Sequence, residues 1–361
     1  MNRMFSRDQC ISHAGSEAME FVKDVLVPAA KVLFIGTVGL ETASHYFPGL
    51  LAPSKNVDFG FIIERRPSVQ VELLELGQRH QVHLLSSLGA SRARFAEIDV
   101  VAPDGATTAG RAAVSAAAEW LTPGYTDIVI DATGMSRGTC FPIAKQAIQF
   151  ALRHNVNMHL VVAGNRKKSL EIVAEANDRA DWVHGFQGSM GSDRSGDLMK
   201  LWVPQLAEGM GSALDLMYGE IQDVAEVCPI LPFPSYDPKR GDRLLWEHHQ
   251  AIRDQWETGP LDLIYAHETD PMDVFKTISR LHEVRARTFG HGGRKTVSIL
   301  SPSGWRVGSV GMLLAAIEHE LPMLYVETVG YSCRSAIPPV VETLNPDVSW
   351  HLWLAGSPYQ K

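Results

Sequence analysis

Apolar runs of strand length alternate along this chain with segments whose apolar positions recur at helical spacing, and small or charged residues mark nearly every switch. In the first half, "KVLFIG" leads through Gly36 and Gly39 into "LETASHYF", and "VDFGFII" leads through "ERRPS" into "VQVELLELGQRHQ". "AEIDVV" is followed by an acidic turn at Asp104 and the amphipathic "AGRAAVSAAAEWL"; "TDIVID" is followed by a small-residue turn and "TCFPIAKQAIQF"; "VNMHLVVAG" closes the series. Regular alternation of strands and helices predicts an α/β fold with a mostly parallel sheet and helices on both faces.

The second half repeats this order, which is the signature of an internal duplication. "KLWVPQLAEGMGSALDLMY" matches the first strand, glycine pair (Gly209 and Gly211) and helix; "EVCPILPFPSYDP" with "KRGDRLLWEHHQAIRDQW" matches the second. "LDLIYAHETDPMDVFKTISRLHEV" matches the third, with Asp270 in its turn, and "KTVSILSPSGWRVGSVGMLLAAIEH" followed by "LPMLYVETVG" matches the last, bringing Arg306 onto Arg137. The expected organisation is two tandem Rossmann-like units, 28–168 and 196–331. Residues 169–195 are expected as a linker or mobile loop, and 1–27 and 332–361 as terminal extensions outside the repeat.

Composition narrows the class. A chain of 361 residues with 45% hydrophobic and 20% charged residues can bury sizeable cores and reads as soluble and globular. Its 33 Lys and Arg against 41 Asp and Glu give a net charge of −8, which disfavours duplex nucleic acid as a partner. Cys10, Cys140, Cys228 and Cys333 have no ligand or redox spacing, so reduced thiols, a cytoplasmic location and no metal are expected. The early apolar stretch "MEFVKDVLVPAAKVLFIG" is broken by acidic residues and runs into a strand, so neither a signal peptide nor a membrane span is expected.

In open parallel sheets, ligands sit beyond the carboxyl ends of the strands. "GTVGLE" brings Gly36, Thr37, Gly39 and Glu41 to that edge, but Gly36-x-x-Gly39 is not the dinucleotide fingerprint. "TGMSRG" offers the hydroxyls of Thr133 and Ser136, the backbone of Gly134, the positive end of a helix and the charge of Arg137, the residue types of an anion cradle. "SPSGWRVGS" offers Ser303, Gly304 and Arg306, with Trp305 available for stacking, and capping accounts for the hydroxyls in both turns without accounting for the matched arginines. "ERRP" adds Arg65 as an anion contact, against the plainer reading of a solvated strand end. Asp104 and Asp270 resemble ribose-hydroxyl or helix-cap carboxylates, with capping the preferred reading. "EHH" lacks metal spacing, "GHGGRK" reads as a loop, and Cys140 has no neighbouring base in sequence.

The segments "DATGMSRGTCFPIA" and "LSPSGWRVGSVGMLLAA", with "LPMLYVE" as the strand that follows, resemble CRISPR-associated Rossmann fold sensor domains that recognise cyclic oligonucleotides. In that family a Thr/Gly-rich turn grips ligand phosphates across a two-fold axis. The resemblance implies phosphate-gripping roles for Thr133, Gly134, Arg137, Ser303, Gly304 and Arg306. This chain departs from the family pattern: neither turn has its Lys, the second has Pro-Ser-Gly-Trp in place of the Gly-Gly-Thr core, and an appended effector domain is not expected. The leading expectation is a sensor or accessory subunit for a nucleotide or oligonucleotide second messenger in a bacterial antiviral or stress system, working with an effector partner or as a homo-oligomer. Two rivals stand beside it: a nucleotide-processing or NAD-consuming enzyme with Asp131 or Glu41 as acid/base, and a protein-binding scaffold.

Overall fold

The computed structural model describes residues 10–165, 170–188, 198–221, 226–291, 294–337 and 345–359. Its contacts divide the chain into two compact units, one formed by Asn177–Glu327 and the other by the described parts of Phe5–Ala176 and Thr328–Lys361.

The unit holding both chain ends is built on a seven-stranded sheet. Numbered in chain order, its strands are β1 (Ile11–Ala14), β2 (Val32–Thr37), β3 (Val57–Arg65), β5 (Ala93–Asp99), β6 (Asp127–Asp131), β7 (Asn157–Gly164) and β17 (Val348–Ala355), in the order β1-β17-β7-β6-β2-β3-β5. The five strands from β7 to β5 are mutually parallel, while β17 runs antiparallel to both β7 and β1. The α/β class with a mostly parallel central sheet is the one the alternation predicts. A second small sheet in this unit pairs β16 (Thr328–Cys333) with β4 (Ser68–Val69) and β8 (Ile172–Ala176).

Helices cover both faces. On one, α2 (Tyr46–Leu51) and α3 (Val71–Leu88) pack Phe47, Leu51, Leu84 and Leu88 onto Phe34, Phe59, Phe61 and Val129, next to the short α1 (Ser16–Phe21) and its π-helical continuation Val22–Leu26. On the other lie α4 (Ala109–Trp120) and α5 (Arg137–His154), and an atom at the Cβ position of Gly60 in β3 would overlap the Trp120 ring. The alternation of β3 decides which side chain faces which layer.

Asn177–Glu327 carries its own parallel strands. β10 (Leu198–Pro204) lies between β11 (Glu226–Val227) and β14 (Lys295–Ser301), and β12 (Ile230–Pro232) pairs with β13 (Ile264–Ala266). Parallel bridges from Gln205 to Ile230 and from Leu300 to Met323 join these pieces, and β15 (Leu324–Tyr325) turns back against β9 (Asp181–Trp182). Its helices are α6 (Gly211–Glu220), α7 (Arg240–Glu247), α8 (Pro271–Gly290) and α9 (Arg306–Glu318); α6 and α7 pack around Trp202, Leu214, Met217, Leu231 and Ile299, while α8 packs on α9 and β14. Asp270 caps α8 as expected, accepting from the N–H groups of Met272 (2.8 Å) and Asp273 (3.2 Å), with Pro271 at the first helical position.

The terminal segments 1–27 and 332–361 differ from their reading as extensions. β1 and β17 complete the main sheet: β17 pairs with β7 on one side and β1 on the other, and His351, Leu352 and Leu354 are buried. "LPMLYVETVG" is not one strand: Leu324–Tyr325 stays with its own unit and Thr328–Cys333 pairs with β8. Within 169–195, β8 and β9 are formed; the Gly/Ser/Asp-rich end lies outside the described residues, as do Gly292 and Gly293 of "GHGGRK".

Candidate functional site

In the seven-stranded sheet, β2 and β6 are neighbours whose chains leave in opposite directions, so the crevice a ligand would use lies between the loops after Thr37 and Asp131. Those loops touch. A Cβ on Gly134 would fall 2.7 Å from Thr37 Cγ2 and 3.4 Å from Gly39 Cα, and one on Gly39 would fall 2.8 Å from Ser44 Oγ. Here the two glycines are required by close backbone approach.

The polar groups at the crevice are turned inward. Thr37 Oγ1 donates to the Ile62 carbonyl (2.6 Å), Thr133 N–H donates to Asp131 Oδ1 (2.9 Å), and Ala163 N–H donates to Thr133 Oγ1 (2.9 Å). Asp131 is buried and serves its own turn. Ser136 caps α5, accepting from Thr139 N–H at 3.1 Å.

The positive end of α5 already holds an anion. Glu64, at the end of β3, accepts from Ser136 N–H at 2.9 Å and pairs with Arg66 at 2.5 Å, the two side chains being 11% and 2% exposed. Burial pushes the Glu64 carboxyl up, but the Arg66 guanidinium, the Thr139 hydroxyl and Ser136 N–H together bring it below its ordinary value. Arg66 also donates to the Thr328 carbonyl and lies over the Tyr331 ring. Alternation turns Arg65 the other way, into exposed pairs with Glu97 and Asp99 at 3.1 Å, so it lies on the solvated edge.

Beside the Gly39 loop stands a cluster of imidazoles. His45 ends the 3-10 turn Thr42–His45 and packs edge-on to His80 (4.6 Å between centroids) and stacked on His83 (5.3 Å), while His80 Nδ1–H donates to the Gly39 carbonyl at 2.7 Å. His45 is 2% exposed, and neither ring nitrogen has a hydrogen-bond partner among the described residues. Burial, reinforced by His80 and His83, lowers its pKa to about 3, so the ring is neutral at pH 7. Glu41 is half-buried at the start of that turn and accepts from the Ser44 hydroxyl through its carbonyl (2.8 Å).

The corresponding turn of the other unit is filled. Gln205 is fully buried; its Oε1 accepts from Gly304 N–H and from Ser309 Oγ, both at 3.0 Å, and its Nε2 donates to the Trp305 carbonyl at 3.1 Å. A Cβ on Gly304 would fall 2.5 Å from Gln205 Cγ. The turn expected to cradle an anion therefore holds a neutral amide of its own chain, and Trp305 is buried instead of presented for stacking. Ser303 is buried and its hydroxyl faces Met217 Sδ at 3.8 Å. Gly209 adopts a left-handed φ of 72° and donates to Glu247 (2.6 Å), while Gly211 starts α6. Nearby, Arg240 forks onto Glu208 with two bonds of 2.9 Å and also pairs with Glu268.

No family model matches the chain, and no curated protein matches it. Among solved structures it is similar to PA1789, a functionally unknown protein from Pseudomonas aeruginosa PAO1, at 10% identity over 85% of this chain and 95% of that one, with a TM-score of 0.24. It is also similar to the cytoplasmic domain of a prokaryotic cation chloride cotransporter (10% identity, 82% and 95% covered, TM-score 0.24) and to E. coli MccB with succinimide (15% identity, 42% and 41% covered, TM-score 0.21).

Of the residues singled out in sequence, Gly36, Thr37, Gly39, Asp131, Thr133, Gly134 and Ser136 are gathered at one crevice, with a Cβ on Gly36 falling 3.6 Å from that of Asp131. Arg137 and Arg306 are each half-buried at the first residue of their helices. Asp104 accepts from Ala106 N–H and shapes a turn before α4 instead of capping it. His45, His80 and His83 escaped sequence reading, although the three-residue spacing of the last two puts both on one face of α3. Among the described residues no group of three or more His, Cys, Asp or Glu could hold a metal ion, and no helix is long and apolar enough to cross a membrane.

Proposed function

We propose that the protein binds a phosphorylated, nucleotide-type small molecule at the crevice between β2 and β6, with the ligand's anion taking the place of Glu64 at the start of α5. One observation carries this reading: Ser136 N–H, Thr139 and Arg66 already stabilise a carboxylate there, with the donors a phosphate would use. Glu64 is then an internal competitor that keeps the site satisfied until ligand arrives. Because Gln205 fills the other turn, the proposal is for one anion site per chain, not a matched pair at Arg137 and Arg306. The resemblance to cyclic-oligonucleotide sensors supplies the narrower proposal that the ligand is a second messenger and that a partner protein carries the output in an antiviral or stress response.

Calorimetry with ATP, NAD and short cyclic oligonucleotides tests it. Glu64→Gln, which removes the competing charge, is expected to bind tighter than wild type, and Arg137→Ala more weakly. Failure of both wild type and Glu64→Gln to bind any of these compounds overturns the proposal.

His45 favours a second reading, that of an enzyme. Its two nitrogens, which no described residue bonds, lie beside the crevice loop, and an anionic ligand brought next to them would raise the lowered pKa towards the range acid/base work needs, whereas Asp131 is engaged by its own turn. Chromatography of the same nucleotides after incubation separates the cases: turnover abolished by His45→Asn and retained by Asp131→Asn supports catalysis through His45.

A further inference from the structure

Helix α3 is apolar on two sides. Its buried side holds Leu73, Leu76, His80, Leu84 and Leu88, and a helix packed in this way normally turns charge to the solvent on the side away from them. Val71, Leu74, Gln78, Val82 and Leu85 lie there instead, within an arc of about 80° at about 100° per residue. Val71, Leu74 and Val82 are 64%, 51% and 65% exposed, Gln78 is exposed and Leu85 is half-buried. A continuous apolar stripe of this kind marks a contact surface, whereas single exposed residues carry no such meaning.

The stripe has the same spacing read in either direction. Leu74 and Val82 stand four positions before and after Gln78, and Val71 and Leu85 stand seven before and after it. Laid antiparallel on a second copy, with a two-fold axis at Gln78, it pairs Leu74 with Val82, Val71 with Leu85, and Gln78 with its own counterpart. That is the self-complementarity an isologous contact requires. An amide offers both donors and an acceptor, so two Gln78 side chains can bond each other across the axis. Glu75, Gln78, Arg79 and Val82 line a shallow depression at the same place. Four residues so spaced form the hole that receives a knob when helices interlock.

Charge selects the direction. Glu75 and Arg79 flank the stripe on one side, and Gly77 and Gln81 flank it on the other. An antiparallel pair sets like flanks together. Glu75 of one copy and Arg79 of the other then lie about 3 Å apart along the axis, and the two-fold forms this pair twice. A parallel pair would set the charged flank against the neutral one.

We propose that the outer face of α3 is the seam of an antiparallel homodimer, centred on Gln78 and guided by two Glu75–Arg79 pairs. Contact through one helix falls at the small end of interface sizes, so the dimer forms and dissociates with concentration. It needs no ligand at the crevice.

Sedimentation equilibrium of the full chain across a dilution series tests the seam. Wild type is expected to shift from monomer to dimer as concentration rises. Leu74→Glu is expected to weaken association about a hundredfold, because the apolar contact is lost twice per dimer, while thermal melting shows that the fold is kept. A charge exchange reads the register. Glu75→Arg sets arginine against arginine across the seam and Arg79→Glu sets glutamate against glutamate, so each alone is expected to associate more weakly than wild type. Mixed, the two variants regain opposite charges at both places, and a heterodimer is expected. Wild type that stays monomeric throughout overturns the proposal, as does a dimer that Leu74→Glu leaves intact. A mixture that associates no better than either variant alone overturns the antiparallel pairing.

Discussion

Replacing His45 by Phe is expected to stabilise the unit that contains it, and to do so more strongly in acid. The ring is 2% exposed, stacks on His83, and offers two nitrogens that no described residue bonds. Leaving a buried polar atom unpaired costs about 1–3 kcal/mol, and Phe keeps the ring contacts while removing those atoms. The proton term adds to this. Its folded pKa, about 3, lies below the ordinary value of 6.5, so the unfolded chain takes up a proton first as the pH falls. Stability is therefore lost from about pH 6.5 downward until the folded pKa is reached, and at pH 5 the loss is about 2 kcal/mol for this one group. Urea unfolding of wild type and His45→Phe at pH 8 and pH 5 measures both parts. The variant is expected to be more stable by about 1–3 kcal/mol at pH 8 and by about 2 kcal/mol more at pH 5. A variant less stable than wild type at pH 8, or one with an unchanged pH dependence, refutes the reasoning.

Three further outcomes follow from the packing. Arg66→Met should cost about 3–5 kcal/mol by leaving Glu64 unpaired in the protein, and the loss should shrink at a pH low enough to protonate the carboxylate; a melt with no pH dependence of that loss counts against the pair. Gln205→Ala should destabilise Asn177–Glu327 by about 1–3 kcal/mol through the N–H of Gly304 and hydroxyl of Ser309 it leaves exposed to an empty turn, with amide exchange at Gly304 accelerated. Gly311→Ala should cost about 1–3 kcal/mol, because the new Cβ would meet Val274 Cβ at 2.6 Å and Phe275 N at 3.0 Å where α9 crosses α8; calorimetric melting unchanged from wild type would show that the helices can separate freely.

The chain's sequence by itself determined the α/β class, because strand and helix periods are properties of neighbouring positions that need no partner to be read. It also determined the caps at Ser136 and Asp270, which bond N–H groups two or three residues ahead, but not the role of Asp104, whose carboxylate turns to Ala106 N–H instead. The crevice was legible as the set of loops after the strands, with Gly39 and Gly134 in two of them; that those glycines let the two loops touch was decided by the fold. Tertiary structure decided what occupies those loops. Glu64 reaches Ser136 across 72 residues, Gln205 reaches Gly304 across 99, and His13 meets His351 across 338. Hydropathy gives these residues no distinguishing mark. An inward carboxylate beside an arginine reads as a solvated strand end until the neighbouring strand and helix are in place. The same holds for the terminal segments: β1 and β17 look peripheral along the chain, yet strand pairing is set by hydrogen bonds between distant backbones, and it makes them part of the main sheet.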